Sequence, residues 1–118
     1  MSAFSMTQPV FWILTALAGG RRHGYEILRE TEAASEGRVS LKVTTLYATL
    51  ERLERDGLIH TDGEEVINGR ARRYYRISDQ GSARLTEEVE LLERSVRVAR
   101  TRMALPGAAM GFFKGAEA

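Results

Sequence analysis

The spacing of apolar and polar residues along the chain changes period several times, and each change predicts an element. Val10, Phe11, Ile13, Leu14, Leu17 and Ala18 form a broad apolar stripe at helical spacing, opened by Thr7 and Pro9 and closed by Gly19-Gly20. A second helix is predicted from about His23 to Ala34, with Tyr25, Ile27 and Leu28 facing inward. With only two histidines in the chain, His23 reads as a structural residue and not as a metal ligand. After the loop "SEGRVS", a third helix covers "LKVTTLYATLERLERDG", with Ser40 as its N-cap and Gly57 as its stop. Val43, Leu46, Tyr47, Leu50 and Leu53 make its inward stripe. Its polar face shows Lys42, Thr44, Thr45, Ala48, Thr49, Arg52 and Arg55.

The pattern then changes to strands. Asn68-Gly69 between two β-type runs is a strong hairpin signal. A turn there sets Ile67 opposite Arg70, Val66 opposite Ala71, Glu65 opposite Arg72 and Glu64 opposite Arg73. Alternation puts Leu58, Val66, Ala71, Tyr75 and Ile77 on the face toward the core. Arg70, Arg72, Tyr74 and Arg76 fall on the other face, with Arg76 beside Thr61. Asp62 falls on the apolar face opposite Tyr75, where the hairpin is expected to widen. Ser78 then caps a last helix from Asp79 to about Leu105, whose acids mostly precede its bases, as the helix dipole favours. Leu85, Val89, Leu92, Val96, Ala99 and Met103 repeat at alternating intervals of four and three. This seam is longer than a small core needs and predicts pairing with a second copy. Pro106-Gly107 ends the helix, and residues 106–118 read as a loose tail in which Met110, Phe112 and Phe113 are the docking candidates.

Composition narrows the function. The chain has 118 residues, enough for one core, and no cysteine, which excludes disulfides and thiolate metal sites. No apolar run approaches the ~20 residues that span a bilayer, and Val10 to Ala18 lacks a basic leader, so a cytoplasmic protein without membrane contact is expected. No nucleophile–base pair, carboxylate dyad or metal cluster stands out, so no enzyme, cofactor or metal is expected. The net charge is only +1, yet "NGRARRYYRIS" holds four arginines and no acid. Local charge, not net charge, therefore carries any argument about nucleic acid.

Three helices followed by a basic hairpin form a winged helix-turn-helix pattern. The fold expected is mainly α with a small β-hairpin, residues 1–78 forming the DNA-binding domain and 79–105 the dimerisation helix. The blocks "HGYEILRE" (23–30), "TTLYATLERLERDGLI" (44–59) and "RRYYRISDQG" (72–81) occur in series, and in them the chain resembles the PadR family of bacterial transcriptional regulators. It departs from the usual family pattern at Thr44, where glycine is common, and at Ala48, where proline is common. The resemblance implies a homodimeric repressor on double-stranded DNA, released by a small-molecule effector. A short chain with one terminal helix looks like the smaller subgroup. Some of its members bind drugs against a tryptophan of the terminal helix. Here that helix has no aromatic residue and Trp12 lies in the first helix, so this feature does not carry over.

The candidate DNA contacts are Ser40, Lys42, Thr44, Thr45 and Tyr47 around the start of the third helix, with Tyr25 from the second and Arg70, Arg72 and Arg73 from the wing. Free amides at a helix N-terminus favour phosphate, and short hydroxyl side chains allow close approach. Each has a plainer role as well. A threonine can serve the first turn, the Tyr47 ring can pack in the core, and Arg72 and Arg73 can pair across the strands with Glu65 and Glu64. Arg70 at the tip has no such partner. The alternative to DNA binding is a winged-helix module that binds only protein, which would respond little to salt.

Overall fold

A computed structural model describes residues 6–106 of the protein. Its order is α1 (Gln8–Ala18), β1 (Arg22–His23), α2 (Gly24–Ala34), α3 (Val43–Arg55), β2 (Ile59–Ile67), β3 (Arg70–Ile77) and α4 (Asp79–Met103). The chain divides into two compact units between Leu85 and Thr86. The tail residues Met110, Phe112 and Phe113 lie outside the described residues.

The first unit is built on one apolar cluster. Val10, Ile13, Leu14 and Leu17 of α1 meet Ile27 of α2, Leu46, Leu50 and Leu53 of α3, and Ile59 and Tyr75 of the sheet. Thr7 caps α1 by accepting from the Val10 amide. His23 caps α2: its Nδ1 accepts from the Glu26 amide while the Glu26 carboxylate accepts from the His23 amide. This reciprocal box satisfies two amides that a helix start leaves open, and such caps stabilise by about 1 kcal/mol each. His23 is thus structural, as its place in the sequence suggests.

The sheet has three strands, in the order β1-β3-β2. β1 is an addition to the expected hairpin. At two residues it is too short to leave a period in the sequence, and only its pairing reveals it, with Arg22 opposite Tyr75 and His23 opposite Tyr74. The turn at Asn68-Gly69 forms as expected, both residues at positive φ (53° and 79°), as a tight I′ hairpin requires. The four expected pairs, from Ile67↔Arg70 to Glu64↔Arg73, are all present.

Beyond Glu64 the register slips by one. Thr61 pairs with Tyr75 and His60 with Arg76, leaving Asp62 and Gly63 as a bulge with Gly63 at φ 89°. This corrects two expectations. Asp62 does not sit opposite Tyr75, and Arg76 does not stand beside Thr61, because the slip sets it opposite His60 and brings it to the Asp62 carboxylate at 2.8 Å. A third correction concerns the faces. Val66 and Ala71 are exposed, because the hairpin tip runs past the core. Tyr74, on the opposite face, is buried instead. The Arg21 guanidinium covers its ring at 4.0 Å from the centroid, and its hydroxyl donates to Glu65. Burial, then that hydrogen bond, raises the Tyr74 pKa above its ordinary value.

Ser78 starts α4. Its hydroxyl accepts from the Gly81 amide and donates to the Gly57 carbonyl, which ties the helix start to the turn after α3. Leu85 packs against the core cluster. Further along, Val89, Leu92, Val96 and Met103 are exposed, as is Ala99. Among the described residues no helix is long and apolar enough to cross a membrane.

Candidate nucleic-acid interface

The helix α3 begins later than its sequence suggests. Its N-cap is Lys42, which makes no side-chain capping bond, and the first helical residue is Val43. Ser40 is therefore not the cap; it lies in the extended approach, two residues before the N-cap. Helix α3 is also rotated relative to the expected stripe. Leu46, Thr49, Leu50 and Leu53 are its buried residues, whereas Val43 and Tyr47 are 55% and 45% exposed. Thr49 can go inward because its hydroxyl donates to the Thr45 carbonyl and leaves a methyl for the core. Thr44, Ala48, Glu51 and Arg55, spaced four, three and four apart, then line the side away from the core.

Tyr25 turns outward as well, contrary to the inward role expected for it. It joins Val43, Tyr47, Gly24, Arg70 and Arg72 around a groove of about 230 Å³ between α2, the start of α3 and the wing. The geometry thus brings together Tyr25, Tyr47 and two of the wing arginines, which lie on separate segments of the chain. Tyr47 lies over Gly24 so closely that a Cβ there would overlap its hydroxyl and ring, so glycine at position 24 sets how near the tyrosine can come. Arg72 stands 5.8 Å from the Tyr25 ring, and its Nε is buried without a hydrogen-bond partner. Lys42, Thr44 and Thr45 are exposed at the leading end of α3.

The expected cross-strand ion pairs of the wing do not form as drawn. Glu65 faces Arg72 in register, yet its carboxylate takes Arg21 at 3.2 Å and the Tyr74 hydroxyl at 3.0 Å. Arg21 also donates to the Asp62 carbonyl, fastening the bulge. Arg21 is the residue that sequence reasoning undervalued: four positions before Tyr25 and far from Glu65 in the chain, it gives no local signal of its role. With Glu65 occupied, Arg70, Arg72 and Arg73 form no ion pair among the described residues. Both Arg70 and Arg73 are exposed. Among the described residues no group of acidic or histidine side chains could hold a metal.

Three helices with a free leading end on α3, flanked by a hairpin in which Arg70, Arg72 and Arg73 form no ion pair among the described residues, define a winged helix-turn-helix protein. Residues 13–87 match the Transcriptional regulator PadR-like family, and the chain belongs to that family. It is 41% identical over 86 residues to a transcriptional regulator of Mycobacterium tuberculosis, a match covering 73% of this chain and 64% of that protein. The matched part is thus under two thirds of that relative's length. A solved transcriptional regulator from Clostridium thermocellum superposes with a TM-score of 0.64 at 32% identity, covering 79% of this chain and 87% of that one. The fold is also that of Bacillus subtilis PadR, solved in complex with operator DNA, with a TM-score of 0.60 at 22% identity over 68% of this chain and 46% of that one. The family is one of transcriptional regulators and not of enzymes.

Proposed function

We propose that the protein is a sequence-specific DNA-binding repressor that acts as a homodimer in the cytoplasm. The leading end of α3 enters the major groove, and the wing reaches the adjacent phosphates. One observation carries this reading: Arg70, Arg72 and Arg73 form no ion pair among the described residues, and the acid that register sets opposite Arg72 is taken by Arg21 and Tyr74. Unpaired arginines beside an exposed helix N-terminus suit a polyanion. The seam along α4 (Val89, Leu92, Val96, Ala99 and Met103, with Leu85 at its foot) pairs two copies. The 1–78 part binds DNA and the 79–105 part dimerises. A two-fold dimer places its recognition helices about 34–36 Å apart, which calls for a pseudo-palindromic operator. Release by a small-molecule effector is the part of this reading that rests on family resemblance alone.

The test is selection of duplexes from a genomic library by the full-length protein, followed by titration at several salt concentrations. Replacing Arg70, Arg72 and Arg73 with Ala should weaken binding and flatten the log–log salt slope by up to about 5 per dimer. Unchanged affinity and slope would remove the wing from the interface.

A further inference from the structure

The outward ridge of α3 has an unusual chemistry for reading bases. Residues at the N-terminal end of a recognition helix contact base edges. Here the first two turns offer Val43, Thr44, Tyr47 and Ala48 as exposed side chains, together with Thr45. They contain no Asn, Gln, Arg or Lys, the side chains that grip adenine or guanine through two hydrogen bonds; the exposed Lys42 stands ahead of them, at the N-cap. The first guanidinium on the helix is Arg52, in the third turn. Thr44 and Ala48 stand at the centre of the ridge, one turn apart, both exposed, and each carries a methyl group, Thr44 together with a hydroxyl. Next on the same line comes the exposed carboxylate of Glu51. In the major groove, thymine alone carries a methyl, and a carboxylate can accept from the amino group of cytosine. A carboxylate at this point also repels phosphate, which makes a purely backbone-tracking role for the ridge unfavourable.

Resting on the DNA-binding reading above, we infer that Thr44 and Ala48 determine specificity by packing their methyl groups on thymine 5-methyl groups, with Glu51 accepting from a neighbouring cytosine amine. The preferred half-site is therefore read through thymine methyls and not through bidentate contacts to purines. Val43 and Tyr47 flank the ridge on the wing side and line the groove with Arg70 and Arg72, so they wall off the contact and are not its readers.

The test uses full-length protein and a random-sequence duplex pool. Retained duplexes are sequenced, and the best is remade with deoxyuridine in place of each thymine in turn. Removing one packed methyl should weaken binding about fourfold, and two such positions should appear in each half-site. In Ala48→Gly the loss at one of them should fall below about twofold, and in Thr44→Ser the loss at the other should do the same, because each variant lacks the partner methyl. Comparing thymine and uracil duplexes within each variant cancels any change in folding. Retained duplexes that bind equally well with uracil overturn the inference and leave the DNA-binding reading standing. So does a uracil penalty identical in wild type and both variants. A pool from which nothing is retained overturns both.

Discussion

Gly81 shows how one residue decides whether the helix α4 can start where it does. Its amide is held by the Ser78 hydroxyl, and where a side chain would go stand the Leu58 carbonyl oxygen and the Ile77 side chain. A backbone oxygen cannot swing aside as a flexible side chain can. Gly81→Ala should therefore destabilise the protein by about 1–3 kcal/mol, seen as a lower midpoint in urea denaturation. An unchanged midpoint would mean that the start of α4 is looser than drawn. Three residue-scale errors of sequence reading share one cause. Periodicity assigns aromatic and β-branched residues to the core, so it placed Tyr25, Val43 and Tyr47 inside. Thr49 went the opposite way, because nothing in the pattern shows that its hydroxyl is satisfied by a carbonyl four residues back. The three misplaced residues line the groove beside the wing, so departure from the periodic pattern marks the candidate site itself.

At the scale of the element, the wing was legible where local chemistry dictates it and not where distant residues do. Asn68-Gly69 permits the left-handed turn, and that turn alone sets four cross-strand pairs. The bulge at Asp62-Gly63 depends on Arg21, which lies on another segment and holds the Asp62 carbonyl. The short β1 escaped detection for the same reason. One consequence is testable through pH. The hydrogen bond and charge of Arg76 lower the Asp62 pKa below its ordinary value. The folded chain thus binds this proton less readily than the unfolded chain. The contribution of the pair is complete above the ordinary carboxylate pKa of about 3.9 and is lost as pH falls through the lower folded value. Both groups are exposed, so the effect is confined to the strands around the bulge. Amide-proton shifts of His60 to Gly63 should titrate below pH ~4 in the wild type and lose that transition in Asp62→Asn. A transition at the ordinary value, or one that survives the substitution, would show that the pair does not form.

At the scale of the whole molecule, the chain divides into two units. Residues up to Leu85 hold a closed core and the candidate interface. Past that point α4 shows Val89, Leu92, Val96 and Met103 to solvent, apolar groups that the other described residues do not cover. The four-three repeat is legible in the sequence, and the exposure of its residues is what the proposed pairing with a second copy rests on. Under the proposed pairing, two wings double the arginines offered to one duplex. The most direct measurement is sedimentation of the wild type and of Leu92→Glu, each alone and with the same selected duplex. The account predicts a wild-type dimer that binds as two subunits per duplex. It predicts that the variant, a carboxylate buried in its seam, sediments as a folded monomer with at least about tenfold weaker binding. A variant that stays dimeric and binds with full affinity would contradict it.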